Sequence, residues 1–320
     1  MKMVKTLSIK ASIVVPIFAI IIVLETLVAS YAIDQMPFFD TSAEQKGRIH
    51  VGKNEQAIAA IPADYHFVNE GKLTIAVAPS DPPLSFYASD AATPIGSEAD
   101  FASAIAESLD KQLELVAIPW IDWSLGLSSG KYDAVLANIG VTEARKKKFD
   151  FSTYRQGIHG FYVKTDSPIK TIAKPEDLAG LRVVVGGGTN QERIMLRWND
   201  IVTKENLKPI TLQDYDDSAA RLLAIQSGRA DVIVAPHAQL VYMAMRDGNL
   251  RQVGTLIAGW PDRSDVSVVT RKGSGLGNPI TIAINGLIKS GDYQKILTRW
   301  HLQDEALLSS ETNPAGMAEE

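Results

Sequence analysis

Apolar and polar positions change rhythm several times along the chain. The run "LTIAVA" (73–78) is short, continuous and apolar, the mark of a buried strand. In "DFASAIAESLD" (100–110), Phe101, Ile105 and Leu109 recur at every fourth position, which predicts one apolar stripe of a helix. "LELVAI" then returns to the strand pattern, and "SDVSVVTRKG" (264–273) predicts a further strand ahead of two closing helices. Strand alternating with helix predicts an α/β protein.

The pattern also repeats itself. "SGKYDAVLAN" (129–138) is echoed by "SGRADVIVAP" (227–236), each a Ser-Gly-cation-x-Asp entry to a strand ending in Ala. "GKLTIAVAPS" (71–80) is echoed by "GLRVVVGGGT" (180–189), each a glycine, a strand and a turn of small residues. Two echoes in the same order predict two like-built α/β lobes. In open parallel sheets a ligand sits beyond the carboxyl ends of the strands, so 79–83, 138–145, 186–191 and 235–237 are the expected cleft. The last strand and two helices are too few for a third domain and are expected to return to the first lobe.

Composition narrows the class. The 320 residues are 46% apolar and 22% charged, as in a folded globular protein, and none is cysteine. Disulfides, thiolate metal sites and a cysteine nucleophile are thereby excluded. Lys2, Lys5 and Lys10 precede the apolar run "ASIVVPIFAIIIVL", and Ser30 and Ala32 flank Tyr31, the pattern of a secretory signal cleaved after Ala32. The alternative is an uncleaved anchor, although Glu25 interrupts the run. Three lysines and one glutamate leave with residues 1–32, so the formal charge of −5 becomes −7. An acidic exported chain carries no footprint for nucleic acid. Residues 33–65 lack sustained periodicity and are expected to be a poorly ordered leader; 306–320 reads as a flexible tail. The five histidines show no metal-ligand spacing, and neither G-x-S-x-G nor H-E-x-x-H occurs, so neither metal nor cofactor is expected.

Three stretches carry a family resemblance. "SGKYDAVLANIGVTEARKKKFDFS" (129–152), "GSEADFASAIAESL" (96–109) and "INGLIKSGDYQKILTRW" (284–300) resemble the periplasmic amino-acid-binding proteins of ABC importers, with the type II periplasmic binding protein fold. The resemblance implies a first lobe of residues 66–158 plus 265–305 and a second of 159–264. Two hinge strands near 157–164 and 259–266 would join them and close them over a ligand. It implies a periplasmic monomer that binds an amino acid or related small carboxylate and hands it to a membrane permease. Two other classes share the fold: a periplasmic dehydratase of a prephenate-like acid, and a ligand-sensing module.

Candidate site residues follow from that likeness. Arg145 stands where the family pairs an arginine with the ligand carboxylate; a planar guanidinium gives a carboxylate two parallel hydrogen bonds. Thr142 would cap its helix. The plainer reading of Arg145 is a surface ion pair with Glu143 or Asp150. Asn138 and Gly140 stand where relatives turn backbone carbonyls and a hydroxyl to the ligand amine, and Gly140 lacks the hydroxyl. Trp120 stands where some relatives have a ligand-facing aromatic wall; the plainer reading is that Trp120 or Trp123 is simply core. Asp81 replaces an aromatic cover and reads either as a partner for a cationic ligand group or as a turn residue before Pro82 and Pro83. Thr189, with Glu192, would form a capping box whose N–H groups at Thr189, Asn190 and Gln191 complete a carboxylate cradle. The rival, a glycine-rich phosphate loop, would need a Gly-Lys-Ser/Thr ending that is missing here. The family's aspartate for the ligand amine is replaced by Pro236, leaving His237, Gln239 or Asp81 as substitutes, or a ligand without an α-amino group.

Overall fold

The computed structural model describes residues 39–215 and 217–318. The signal segment expected at residues 1–32 lies outside the described residues. Among the described residues no helix is long and apolar enough to cross a membrane.

Two five-stranded sheets organise the described chain. In the first, β1 (Lys72–Val77) lies between β4 (Gln112–Ala117) and β5 (Ala134–Gly140), parallel to both. β12 (Val266–Arg271) returns from the far end of the sequence and pairs antiparallel with β5 and with β6 (Phe149–Arg155). The second sheet contains β7 (Ile158–Lys164), β8 (Arg182–Val185), β9 (Thr211–Asp214), β10 (Val232–Pro236) and β11 (Leu250–Ile257), ordered β11-β7-β10-β8-β9. A two-stranded hairpin, β2 (Phe86–Tyr87) and β3 (Pro94–Ile95), stands apart from both.

Helices cover both faces of each sheet, which is why the strands read as continuous apolar runs. On the first sheet α2 (Ser97–Ser108), α8 (Gly277–Ser290) and α9 (Asp292–Arg299) enclose Ile75, Phe101, Ile284 and Trp300. On its other face α3 (Trp123–Ser128) packs Trp123 and Leu127 against Phe149. In the second lobe α5 (Asn190–Lys204) buries Ile194, Met195, Trp198 and Val202 against the sheet, a stripe of helical spacing. Across that sheet, α6 (Ser218–Gln226) and α7 (His237–Asp247) cover Tyr162, Ile233 and Ala235.

The sequence echo has a structural purpose. Gly130 and Gly228 both turn the chain at positive φ, 76° and 70°. The aspartate three residues on then braces the strand that runs parallel beside the one it leads into, β1 in the first lobe and β8 in the second. Asp133 accepts the Thr74 N–H at 2.9 Å, and Asp231 accepts the Arg182 N–H at 2.8 Å. The chain passes between the sheets twice, at 156–157 and 258–265, and these crossings touch where the Ala258 N–H donates to the Gly157 carbonyl at 2.9 Å.

Two expectations are corrected. The leader is docked from Phe39 onward: the Phe39 ring lies 5.1 Å from Trp300, and Arg48 reaches the buried Asp100 at 2.9 Å. Within it α1 (Glu55–Ala59), capped by Asn54, buries Ala57 in the first lobe's core. The tail is also ordered. Gln156 Nε2 donates to the Ala306 carbonyl at 3.1 Å, the Glu311 N–H donates to Thr153 Oγ1 at 2.8 Å, and the Asn313 N–H donates to the Phe151 carbonyl at 2.9 Å. Both segments escape periodicity because isolated anchors and backbone bonds hold them; β6 is an edge strand, and its free N–H and C=O groups need partners.

Candidate functional site

Between the sheets lies a cavity of about 120 Å³. The turn after β1 (Ala78, Ser80), the end of β5, the turn after β8 and the end of β10 all line it, the carboxyl ends that a crevice between parallel strands requires. Seven of the nine residues expected at the site come together here: Trp120, Asn138, Gly140, Arg145, Thr189, Asn190 and Gln191.

Arg145 lies on the one-turn helix α4 (Glu143–Lys146), whose N-cap Thr142 accepts the Arg145 N–H at 3.1 Å. Its guanidinium is turned inward and is 9% exposed. Nη1 donates to the Gly140 carbonyl at 2.9 Å and to Asn190 Oδ1 at 3.2 Å; Nη2 donates to the Gly188 carbonyl at 3.2 Å. The rings of Trp120 and Trp123 stand 5.9 and 5.8 Å from its central carbon. Burial, with a smaller contribution from nearby Arg193, lowers its pKa to about 9, which leaves it cationic at neutral pH. The carboxylates of the plainer reading are engaged elsewhere: Glu143 with Lys146 at 3.0 Å and Asp150 with Lys272 at 2.9 Å. Among the described residues Arg145 therefore has only uncharged acceptors, a buried cation without a counter-charge.

The second lobe meets it through α5. Thr189 Oγ1 caps the helix at the Glu192 N–H (3.2 Å), and the Glu192 carboxylate accepts the Gly188 N–H at 2.7 Å, closing the box one residue earlier than its usual pattern. Asn190 meets the first lobe through Arg145 and also holds the returning crossing, its Nδ2 donating to the Ala258 carbonyl at 3.1 Å and to Ser264 Oγ at 2.9 Å. Ser264 Oγ in turn donates to the Val141 carbonyl of the first lobe at 2.7 Å. Ser264 explains Gly140: a Cβ there would fall on Ser264 Oγ and 2.8 Å from Asn190 Nδ2, so the missing hydroxyl makes room for an interlobe contact. Asn138 lines the cavity at φ 52°, its side-chain oxygen taken by Arg155 and its backbone N–H by Glu98. Trp120 lines the cavity, and Trp123 is core, 4.9 Å from the Phe149 ring.

Asp81 and His237 are the two that do not join. Asp81 lies outside the lining and ties the lobes together: Ser218 Oγ donates to its carboxylate at 3.1 Å, and Gln239 Nε2 to its carbonyl at 3.3 Å. His237 opens α7, half-buried with its ring 6.0 Å from Tyr162, and burial lowers its pKa. Gln239, the other substitute considered, does line the cavity.

Sequence reasoning missed Glu98 and His159. Glu98, in the first turn of α2, is the only carboxylate among the described lining residues and is 1% exposed. Burial pushes its pKa up to about 7 against the opposing pull of Arg155, the Asn138 N–H and the Tyr154 hydroxyl. An acid near a helix start reads as an ordinary dipole partner, which hid it; the signal was that α2 has scarcely an exposed face. His159, on β7, is 5% exposed, and burial lowers its pKa to about 4 against the pull of the Ala258 and Ile158 backbone, so the ring is neutral.

Two α/β lobes, crossed twice by the chain and closed over a cavity with a buried cation, define the class: a two-lobed solute-binding protein of the type II periplasmic binding fold. Residues 73–303 match the model of the bacterial extracellular solute-binding proteins, family 3, and the chain belongs to that family. It is similar to the L-cystine-binding protein TcyJ of Escherichia coli, 29% identical over 234 residues that cover 72% of this chain and 82% of that protein. An ancestral arginine-binding protein bound to arginine resembles it with a TM-score of 0.63 at 27% identity, over 72% of this chain and 98% of that one. An ancestral amino acid-binding protein, a precursor of cyclohexadienyl dehydratase, resembles it with a TM-score of 0.61 at 26% identity, over 72% and 95%.

Proposed function

We propose that this protein is the periplasmic capture component of an ABC importer. It would act as a monomer, without catalysis, seating an amino acid or related small carboxylate between its lobes and presenting it to a membrane permease. The observation that carries this reading is Arg145: a buried guanidinium whose partners are all uncharged oxygens, at a cavity shared by both lobes. A bound carboxylate would supply the missing charge and displace the weaker carbonyl contacts. Likeness to proteins named for cystine and arginine supports the amino-acid class. Export through a cleaved leader at residues 1–32 belongs to the same proposal.

The test is calorimetry and thermal shift with L-cystine, L-arginine and the other free amino acids, on protein freed of bound solute. Arg145→Ala is expected to weaken binding by about two orders of magnitude or more, and Arg145→Lys to restore only part, because lysine cannot offer the paired donors. Unchanged affinity in Arg145→Ala would remove the carboxylate assignment. One observation favours a second reading, dehydration of a prephenate-like acid: the Glu98 carboxyl, its pKa pushed up to about 7 by burial, lines the cavity and could serve as the general acid such a reaction needs. Product formed from prephenate, abolished by Glu98→Gln, would replace binding with catalysis.

A further inference from the structure

Past residue 303, where the family match ends, the chain runs along β6 and passes the Arg145 helix, and its last described residues lie against the second lobe. On the first lobe Asn313 exchanges bonds with Phe151, each backbone N–H donating across at 2.9 Å. Lys146 Nζ donates to the Pro314 carbonyl at 2.9 Å, and the Gly316 N–H donates to Glu143 Oε1 at 3.0 Å. Met317 pairs with the segment that starts α4: its N–H donates to the Val141 carbonyl at 3.1 Å, and its carbonyl accepts the Glu143 N–H at 3.0 Å. Its side chain, however, belongs to the other lobe. Met317 is 1% exposed, within the core cluster that holds Phe161 and Trp198. Beyond it the Ala318 carbonyl accepts from Arg197 of α5 at 2.7 Å, and its N–H donates to Asp262 in the returning crossing at 3.3 Å.

We propose that residues 313–318 form an interlobe latch, anchored by Met317, that favours the closed arrangement and holds the Arg145 helix against the second lobe. The backbone bonds to Phe151, Val141 and Glu143 lie within the first lobe and survive opening. Burial of Met317 and the Arg197 contact exist only when the second lobe is drawn up, and a contact made in one state alone shifts the balance toward that state. The latch thus lowers the cost of closing before any solute arrives, and apparent affinity rises by the closed fraction it creates.

The absence of cysteine makes the test direct. Spin labels at Lys131→Cys and Arg229→Cys, exposed and at equivalent turns of the two lobes, report the interlobe distance by pulsed electron resonance. The protein is unfolded and refolded in guanidinium beforehand to strip solute, so the result does not depend on the ligand or on Arg145. With the full chain one short-distance population is expected. Met317→Asp, and separately a chain ending at Thr312, should raise the open-to-closed ratio roughly tenfold. Distance distributions that superimpose on those of the full chain, in a variant whose circular dichroism is native, would overturn the latch. A lowered melting temperature with unmoved distances would make the segment a simple edge cover, and would overturn it equally; Met317→Asp decides the matter even if truncation prevents folding.

Discussion

The carboxyl of Glu98 is the residue whose chemistry departs furthest from what its neighbours in sequence suggest. It sits in the first turn of a helix, where an acid is normally solvated, yet it is buried beside Tyr154, whose hydroxyl lies 3.3 Å from it. Its folded pKa of about 7 stands above the ordinary 4.5, so the folded state holds a proton that the unfolded state releases. The contribution of Glu98 to stability is therefore complete below about pH 4.5 and is lost as pH rises through about 7. Denaturant unfolding near pH 5 and near pH 8 should differ by a few kcal/mol through this group, and Glu98→Gln should flatten the difference. A pH dependence unchanged by that substitution would place the titration elsewhere. Gly140 teaches a complementary lesson: a lost hydroxyl reads as a lost ligand contact, whereas here the space it vacates is filled by Ser264.

Elements repeat between the lobes, but their bracing is unequal. Asp133 is wholly buried and accepts the Thr74 and Val68 N–H groups and the Tyr65 hydroxyl. Asp231 does the matching work on β8, with Arg182 as a bidentate partner near the surface. Asp133→Ala strands buried donors and should cost about 3 kcal/mol or more. Asp231→Ala leaves groups that water can reach and should cost about 1 kcal/mol. Chemical denaturation of the two variants checks the order, and equal losses would contradict the burial argument. The strand–turn–helix echoes were legible because each is a local pattern of glycine, aspartate and apolar run. The leader and tail were not, because Phe39 and Met317 are single anchors without a period.

For the whole molecule, closure depends on small polar contacts between lobes as well as on any solute. Asp81 expresses this most simply: its carboxylate meets Ser218 of the second lobe, so it acts on the open–closed balance. Asp81→Ala is expected to raise the open fraction severalfold and to enlarge the radius of gyration of the solute-free protein in X-ray scattering. Affinities for different amino acids should fall together, with their ranking preserved. A changed ranking would return Asp81 to the binding surface.

Read alone, the sequence determined the α/β class, the two-lobe repeat, and an arginine poised after a capping threonine, because each rests on short-range spacing and backbone preference. Seven of the nine candidate residues it suggested line one cavity, since turns at strand ends converge wherever parallel sheets face each other. Only the tertiary structure decided that Asp81 bridges lobes, that His237 stands aside, that Glu98 is buried, and that the tail reaches the second lobe. Those facts depend on which distant groups meet across the gap, and neither burial nor partnership across a hundred residues leaves a local trace.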